Sequence, residues 1–207
     1  MKFLIVFSAL FFAFTDPVLA LKKVSTQWQI SEGSRVDIKA KYTFGTHELS
    51  SDQVTGIIYE SDKNYSGQII VPIKSIKEGN KELECHLQES LGLNYNNSAF
   101  PKKHVCDDQD QLPEAGPNKI EYSDIRFDIN NIEKNTDKIF VTGKWTLHGI
   151  SKTEKIEFLV LEENLNLLKI QSDVKFNLTD YEIIVKKAFV VSVNNIIDVK
   201  LNLVLKK

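Results

Sequence analysis

The feature that most constrains this chain is an alternation of apolar and polar residues that recurs along most of its length. Its cleanest instance is Ile197, Val199, Leu201, Leu203 and Leu205, with Asp198, Lys200 and Asn202 between the first four. The same period runs through Val36, Ile38, Ala40, Tyr42 and Phe44, and through Tyr65, Gly67, Ile69, Val71 and Ile73. It returns in Ile139, Val141, Gly143, Trp145 and Leu147, and in shorter form around Ile58, Phe158, Phe176 and Phe189. A side-chain period of two belongs to a strand with one face turned from water. Turn-forming clusters such as Ser31-Glu32-Gly33-Ser34 and Asn135-Thr136-Asp137 separate the runs. Links this short join antiparallel neighbours, because a parallel crossover needs a dozen residues or more. The chain therefore reads as all-β, with about eight strands whose edges must be dealt with, as closure into a barrel does. A two-sheet sandwich produces the same alternation, so periodicity leaves barrel and sandwich both open.

Two segments depart from this rhythm. Residues 1–20 begin with Lys2, continue through an apolar run from Phe3 to Phe14, and end in Val18-Leu19-Ala20. That is the pattern of a cleavable secretory signal, too short in its apolar part for a membrane span. Cleavage after Ala20 would leave residues 21–207 as one exported domain, periplasmic or secreted. The second departure runs from Glu78 to Pro117. Leu83, Leu87 and Leu91 recur every four residues there, as on one face of a short helix, and Gly92 suits its end. Ile120 and Tyr122 then have one parity and Ile125, Phe127 and Ile129 the other, which predicts a bulge or bend near Ser123-Asp124.

The helical insertion carries both cysteines, Cys85 and Cys106, beside His86 and His104. Two thiols and two imidazoles make a conceivable zinc set, but the spacing is not that of a zinc module, and adjacent Cys-His ligands chelate awkwardly. In an oxidising compartment the expected arrangement is a Cys85–Cys106 disulfide and no metal, worth roughly 3 kcal/mol through the unfolded chain. With 26 basic against 28 acidic residues and a formal net charge of -2, the chain offers no broad attraction to nucleic acid. It contains no nucleophile elbow, phosphate-binding glycine loop or metalloprotease helix motif, so neither an enzyme nor a cofactor is expected. Asp107-Asp108-Gln109-Asp110 lacks the glycine and terminal glutamate of a calcium loop.

Four stretches, taken in order, resemble the YceI-like family of exported lipid-binding proteins. They are Ser66–Ile73 leading into Lys74–Gly79, the helical segment with His86-Leu87 closing at Ala99-Phe100-Pro101, Val141–Lys152, and Phe176–Ile183. The resemblance runs from about Trp28 to the carboxyl end. It implies a lipocalin-like antiparallel barrel whose apolar interior holds a polyisoprenoid or similar amphiphile in the periplasm, for transport or storage and without catalysis. Leu178 and Glu182 stand where the family has arginine and glycine, and the Cys85–Cys106 insertion is longer than usual.

Within such a barrel, Tyr42, Phe44, Ile58, Ile69, Val71, Trp145, Leu147, Phe158, Phe176 and Phe189 are the candidates for lining a tunnel. Gly56, Gly67 and Gly143 mark either missing volume or bends in strands. His86, His148 and Lys152 are candidates for holding a headgroup at the mouth, and Arg35 and Arg126 are the only arginines that could fork onto a phosphate. The rival reading is a β-sandwich interaction or stress-protection module with a filled core and no lipid. Homodimerisation and the identity of the ligand stay open.

Overall fold

A computed structural model describes residues 26–61, 64–100, 112–185 and 193–207. In chain order they form β1 (Thr26–Ile30), β2 (Arg35–Tyr42), β3 (Gly45–Ser51), β4 (Thr55–Ser61), β5 (Asn64–Pro72), helix α1 (Lys81–Gly92), β6 (Asp124–Lys134), β7 (Lys138–Leu147), β8 (Ile150–Glu163), β9 (Leu167–Asn177) and β10 (Ile196–Lys206). Every strand pairing is antiparallel. The sheet runs β1-β4-β5-β6-β7-β8-β9-β10 and closes where β1 meets β10, Ile30 opposite Leu205.

The closed ring has eight positions, and two of them hold broken strands. β1 and β2 lie end to end along the same edge of β10, Ile30 facing Leu205 and Arg35 facing Asn202. Between them the chain loops out at Ser31–Ser34, with Gly33 at φ +90. The Ser34 hydroxyl holds this kink to β10 by accepting from Val204 N at 2.9 Å. β3 and β4 break in the same way, β3 pairing with β2 and β4 with β1. The barrel expected from the family resemblance is thus the observed fold, and the sandwich alternative is excluded by the ring's closure.

Alternation places one residue in two inside. Val199, Leu201, Leu203 and Leu205 of β10 are buried, as are Val36 and Ile38 of β2 and Val141, Trp145 and Leu147 of β7. One end of the barrel is filled solidly. Phe127 and Phe158 are among its most deeply buried side chains, and Ile58, Ile69, Ile129 and Ile139 pack with them. Gly56, Gly67 and Gly143 belong to this filled region and leave no void. A Cβ on Gly56 or Gly67 would come within 2.2 or 2.3 Å of a neighbouring carbonyl oxygen, and on Gly143 within 2.6 Å of the Phe127 ring. These glycines let strands and rings approach closely.

The chain bends at Glu121, just before β6, and no bulge interrupts the ladder at Asp124. Ile120 and Tyr122 precede the strand, and Glu121 N and Tyr122 N instead donate to the carbonyl of Gly92 at 2.8 and 3.0 Å. The register shift lies farther on, between Ile129 and Asn131. Residues outside a ladder are free of its parity, and that produced the apparent flip.

The other end of the barrel lies under α1. Asn80 caps the helix, its side-chain oxygen accepting from Leu83 N at 3.1 Å. Glu84 reaches back from the first turn and accepts from Glu78 N and Gly79 N, both at 2.9 Å, and from Lys77 Nζ at 3.2 Å. Burial acts to raise the Glu84 pKa, but these donors outweigh it and hold the carboxyl below its usual range. A paired backbone bridge between Ser50 and Lys77 then fastens the approach to the helix along β3. Leu93, Phe100 and Leu112 form a small second core that supports the far end of α1.

Candidate functional site

Between the filled half of the barrel and α1 lies a cavity of about 360 Å³. Its floor is aromatic: Trp145 packs on Phe127 at 4.5 Å between ring centroids and meets Phe176 edge-on at 5.1 Å. Its walls are aliphatic, from Val36, Ile38 and Ala40 of β2, Leu147 of β7 and Ile197, Val199 and Leu201 of β10. The roof is α1, through Leu83, Leu87 and Leu91. The polar residues of the lining are few: His47, Glu78, His86 and Ser90. Among the described residues no lysine or arginine lines it.

The polar groups cluster where β3 meets the approach to α1. His47 stacks on Tyr42 with 4.3 Å between ring centroids, and its Nδ1 lies 2.7 Å from Glu78 Oε1. The Glu78 side chain is only 13% exposed, and its second oxygen, Oε2, is buried without a partner. His86 lies against two carboxylates on its own helix, Glu89 at 3.2 Å and Glu82 at 3.7 Å. The Nε1 donor of Trp145 is likewise buried and unpartnered. Leaving such a group unpaired costs about 1–3 kcal/mol, and more when it is charged.

The sequence candidates divide sharply in space. Val71, Trp145, Leu147, Phe176 and His86 face the cavity. Ile58, Ile69 and Phe158 are buried in the filled half, away from it. Tyr42 stands just outside, supporting His47. Phe44 corrects the expectation outright. It sits in the turn between β2 and β3 and is 70% exposed, because the alternating run extends two residues past the strand. Phe189, His104 and Cys106 lie outside the described residues, whereas Cys85 is buried on α1. No cluster of three metal-ligating side chains occurs among the described residues.

Two of the three headgroup candidates have other surroundings. His148 and Gly149 form the two-residue turn between β7 and β8, with φ of 53 and 75. The buried His148 ring points Nδ1 at the carbonyl of Tyr181 (3.0 Å) and Nε2 at that of Leu93 (2.7 Å). It is a clamp between the end of α1 and the short 3₁₀ turn Leu178–Tyr181. Tyr95 supplements it, donating to Ser90 O and accepting from Ile184 N at 3.0 Å. Burial is the main reason the Tyr95 phenol is pushed up to about 12. Lys152 lies away from the cavity, 3.7 Å from Asp180 and over the Tyr181 ring. Arg35 pairs with Asp37 at 2.6 Å, and Arg126 is an exposed residue of β6, so neither reaches the site.

Sequence reasoning missed Glu78, His47 and Ser90. Glu78 sits at the boundary of the helical insertion and His47 on a strand whose alternation is weak, so neither carries a motif. The aliphatic wall of β2 and β10 was visible as inward-facing residues, but parity does not reveal which of these face empty space.

A closed eight-position barrel with an apolar chamber under a short helix can be compared with known folds. Residues 108–205 match the YceI-like domain. This agrees with the family resemblance carried by the sequence. The fold is similar to that of a polyisoprenoid binding domain from Saccharophagus degradans implicated in plant cell wall breakdown, with a TM-score of 0.62 and 11% identity, covering 86% of this chain and 97% of that one. It is also similar to Burkholderia cenocepacia BcnA, with a TM-score of 0.58 and 16% identity, covering 83% and 95% of the respective chains. No curated protein matches the sequence significantly.

Proposed function

We propose that this YceI-like chain is a non-catalytic binding protein that carries or stores an isoprenoid or other chain-like amphiphile in the cavity beneath α1. The observation that carries the reading is the chamber itself, about 360 Å³ of apolar-walled space in a barrel otherwise filled. At roughly 30 Å³ for each methylene, taken as about the volume of one water, it accommodates about a dozen of them. Each methylene taken out of water contributes about 0.8 kcal/mol, enough in sum to retain a lipid. The similarity to a polyisoprenoid binding domain supports the same class of ligand. A longer chain would extend beyond the chamber.

The amino-terminal signal pattern supports an exported, periplasmic setting for this activity, and burial of Cys85 on α1 fits a bridge to Cys106 that ties the roof to the returning chain. The test of function is native mass spectrometry of the protein purified from its host, followed by lipid extraction. A bound amphiphile recovered in near-stoichiometric amount is the expected result; repeated recovery of lipid-free protein that also takes up no added amphiphile would refute it. Amino-terminal sequencing of the exported protein checks cleavage after Ala20, and thiol titration under denaturing, non-reducing conditions checks the bridge, which predicts no free thiol.

A further inference from the structure

Resting on the lipid-binding reading above, we infer that the cavity selects a headgroup that donates hydrogen bonds and carries no negative charge, an ammonium or a hydroxyl, seated on Glu78. The argument starts from the carboxylate's two oxygens. Oε1 is engaged by His47 at 2.7 Å, while Oε2 is buried beside the apolar lining with no partner. The backbone beneath the carboxylate is anchored, so only the side-chain torsions of Glu78 move Oε2 between its buried place and the lining. The Glu78 backbone N–H is held by Glu84, the next residue Gly79 turns at φ +92, and Lys77 is paired to Ser50. A buried acceptor left without a partner is satisfied by a donor that the ligand brings.

The surroundings reinforce the choice. His47 and His86 are the other ionisable groups of the lining; His47 is engaged by Glu78 and His86 lies against Glu82 and Glu89 on its own helix. The Lys77 ammonium is directed to Glu84 and is more than half exposed. Among the described lining residues there is no lysine or arginine to receive a phosphate or a carboxylate. An anionic head placed here meets Glu78 at close range in a poorly solvated site, where like charges repel strongly. An ammonium or hydroxyl in the same place completes the Glu78 pairing, with the tail directed down onto Trp145 and Phe176.

The test compares three probes with one tail, dodecylammonium, 1-dodecanol and dodecanoate, by isothermal titration calorimetry on the full exported protein at pH 7, below their aggregation concentrations. The ammonium is expected to bind most tightly and dodecanoate at least about tenfold more weakly than the ammonium, as befits a charge-assisted hydrogen bond gained in one case and lost in the other. Glu78→Gln keeps the shape and removes the charge. It should bring the ammonium and dodecanoate to within about threefold of each other, a gap of about tenfold in the parent. Dodecanoate binding as tightly as dodecylammonium to the unsubstituted protein overturns the inference, whatever the variant's folding. A preference that persists undiminished in a folded Glu78→Gln protein also overturns it. If none of the three probes binds, the lipid-binding reading itself fails, a result distinct from loss of the headgroup preference alone.

Discussion

Replacing Ala40 with leucine tests the chamber as a ruler for chain length. Ala40 lies on β2 and faces the cavity across from α1, so the added side chain enters open space rather than packed core. Leucine brings three carbons more than alanine and displaces about three of the roughly dozen methylenes that the 360 Å³ holds. At about 0.8 kcal/mol for each, a twelve-carbon alcohol loses about 2.4 kcal/mol, or about 50-fold in Kd. The loss depends on length. Titration with alcohols of increasing chain length should show the affinity plateau reached about three carbons earlier in Ala40→Leu than in the parent. The empty variant should melt no lower than the parent, because the substitution fills space that is already open. An unchanged plateau, in a variant whose circular dichroism is native, would refute the claim that the ligand tail occupies this chamber.

Further outcomes concern the contacts that hold the helix and the strands in place. Glu84→Gln should cost about 1–3 kcal/mol in denaturant unfolding, since a neutral amide oxygen replaces a charged acceptor of two backbone donors. For the parent, the folded Glu84 pKa is depressed, so this contribution is present above the unfolded carboxyl value and is lost as pH falls through the folded one; hydrogen exchange of α1 amides in an acid series reads it. His148→Asn tolerates the positive φ but does not reach across as the ring does, and should destabilise by about 1–3 kcal/mol through the one carbonyl, of Leu93 or Tyr181, that loses the imidazole N–H, with hydrogen exchange rising first around those residues. Gly143→Ala drives a methyl into the Phe127 ring and should cost about 1–3 kcal/mol or prevent folding, whereas Gly79→Ala, with open space at its Cβ, should cost only about 1–2 kcal/mol of backbone strain.

The strands were legible because a half-buried ladder writes its two faces into alternate residues, as β10 does from Ile197 to Leu205. The helix was legible through the spacing of Leu83, Leu87 and Leu91, and it ends at Gly92 as that spacing predicts. Closure was not legible, because no local pattern says that Ile30 will face Leu205. Nor was the division of the interior. Phe158 and Trp145 have the same inward parity, yet one is packed solid and the other faces the chamber. Phe44 misled because alternation continues by chance past the strand end, and His148 because a histidine in a turn reads as solvated until its ring is seen between two carbonyls. The unpaired oxygen of Glu78 is a property of three dimensions alone.

The closing strand has a consequence for how the protein comes into being. β10 pairs with β9 on one side and with both β1 and β2 on the other, and its Ile197, Val199 and Leu201 form a wall of the chamber. It is the last of the described strands to leave the ribosome, and its partners on one flank are the first. Pairings this distant in the chain form slowly and late. Before β10 docks, there is a curved sheet with an exposed apolar face and no chamber at all. A ligand of the kind proposed above would therefore enter only after β10 has docked, and the unsealed sheet is the species most prone to aggregation until then.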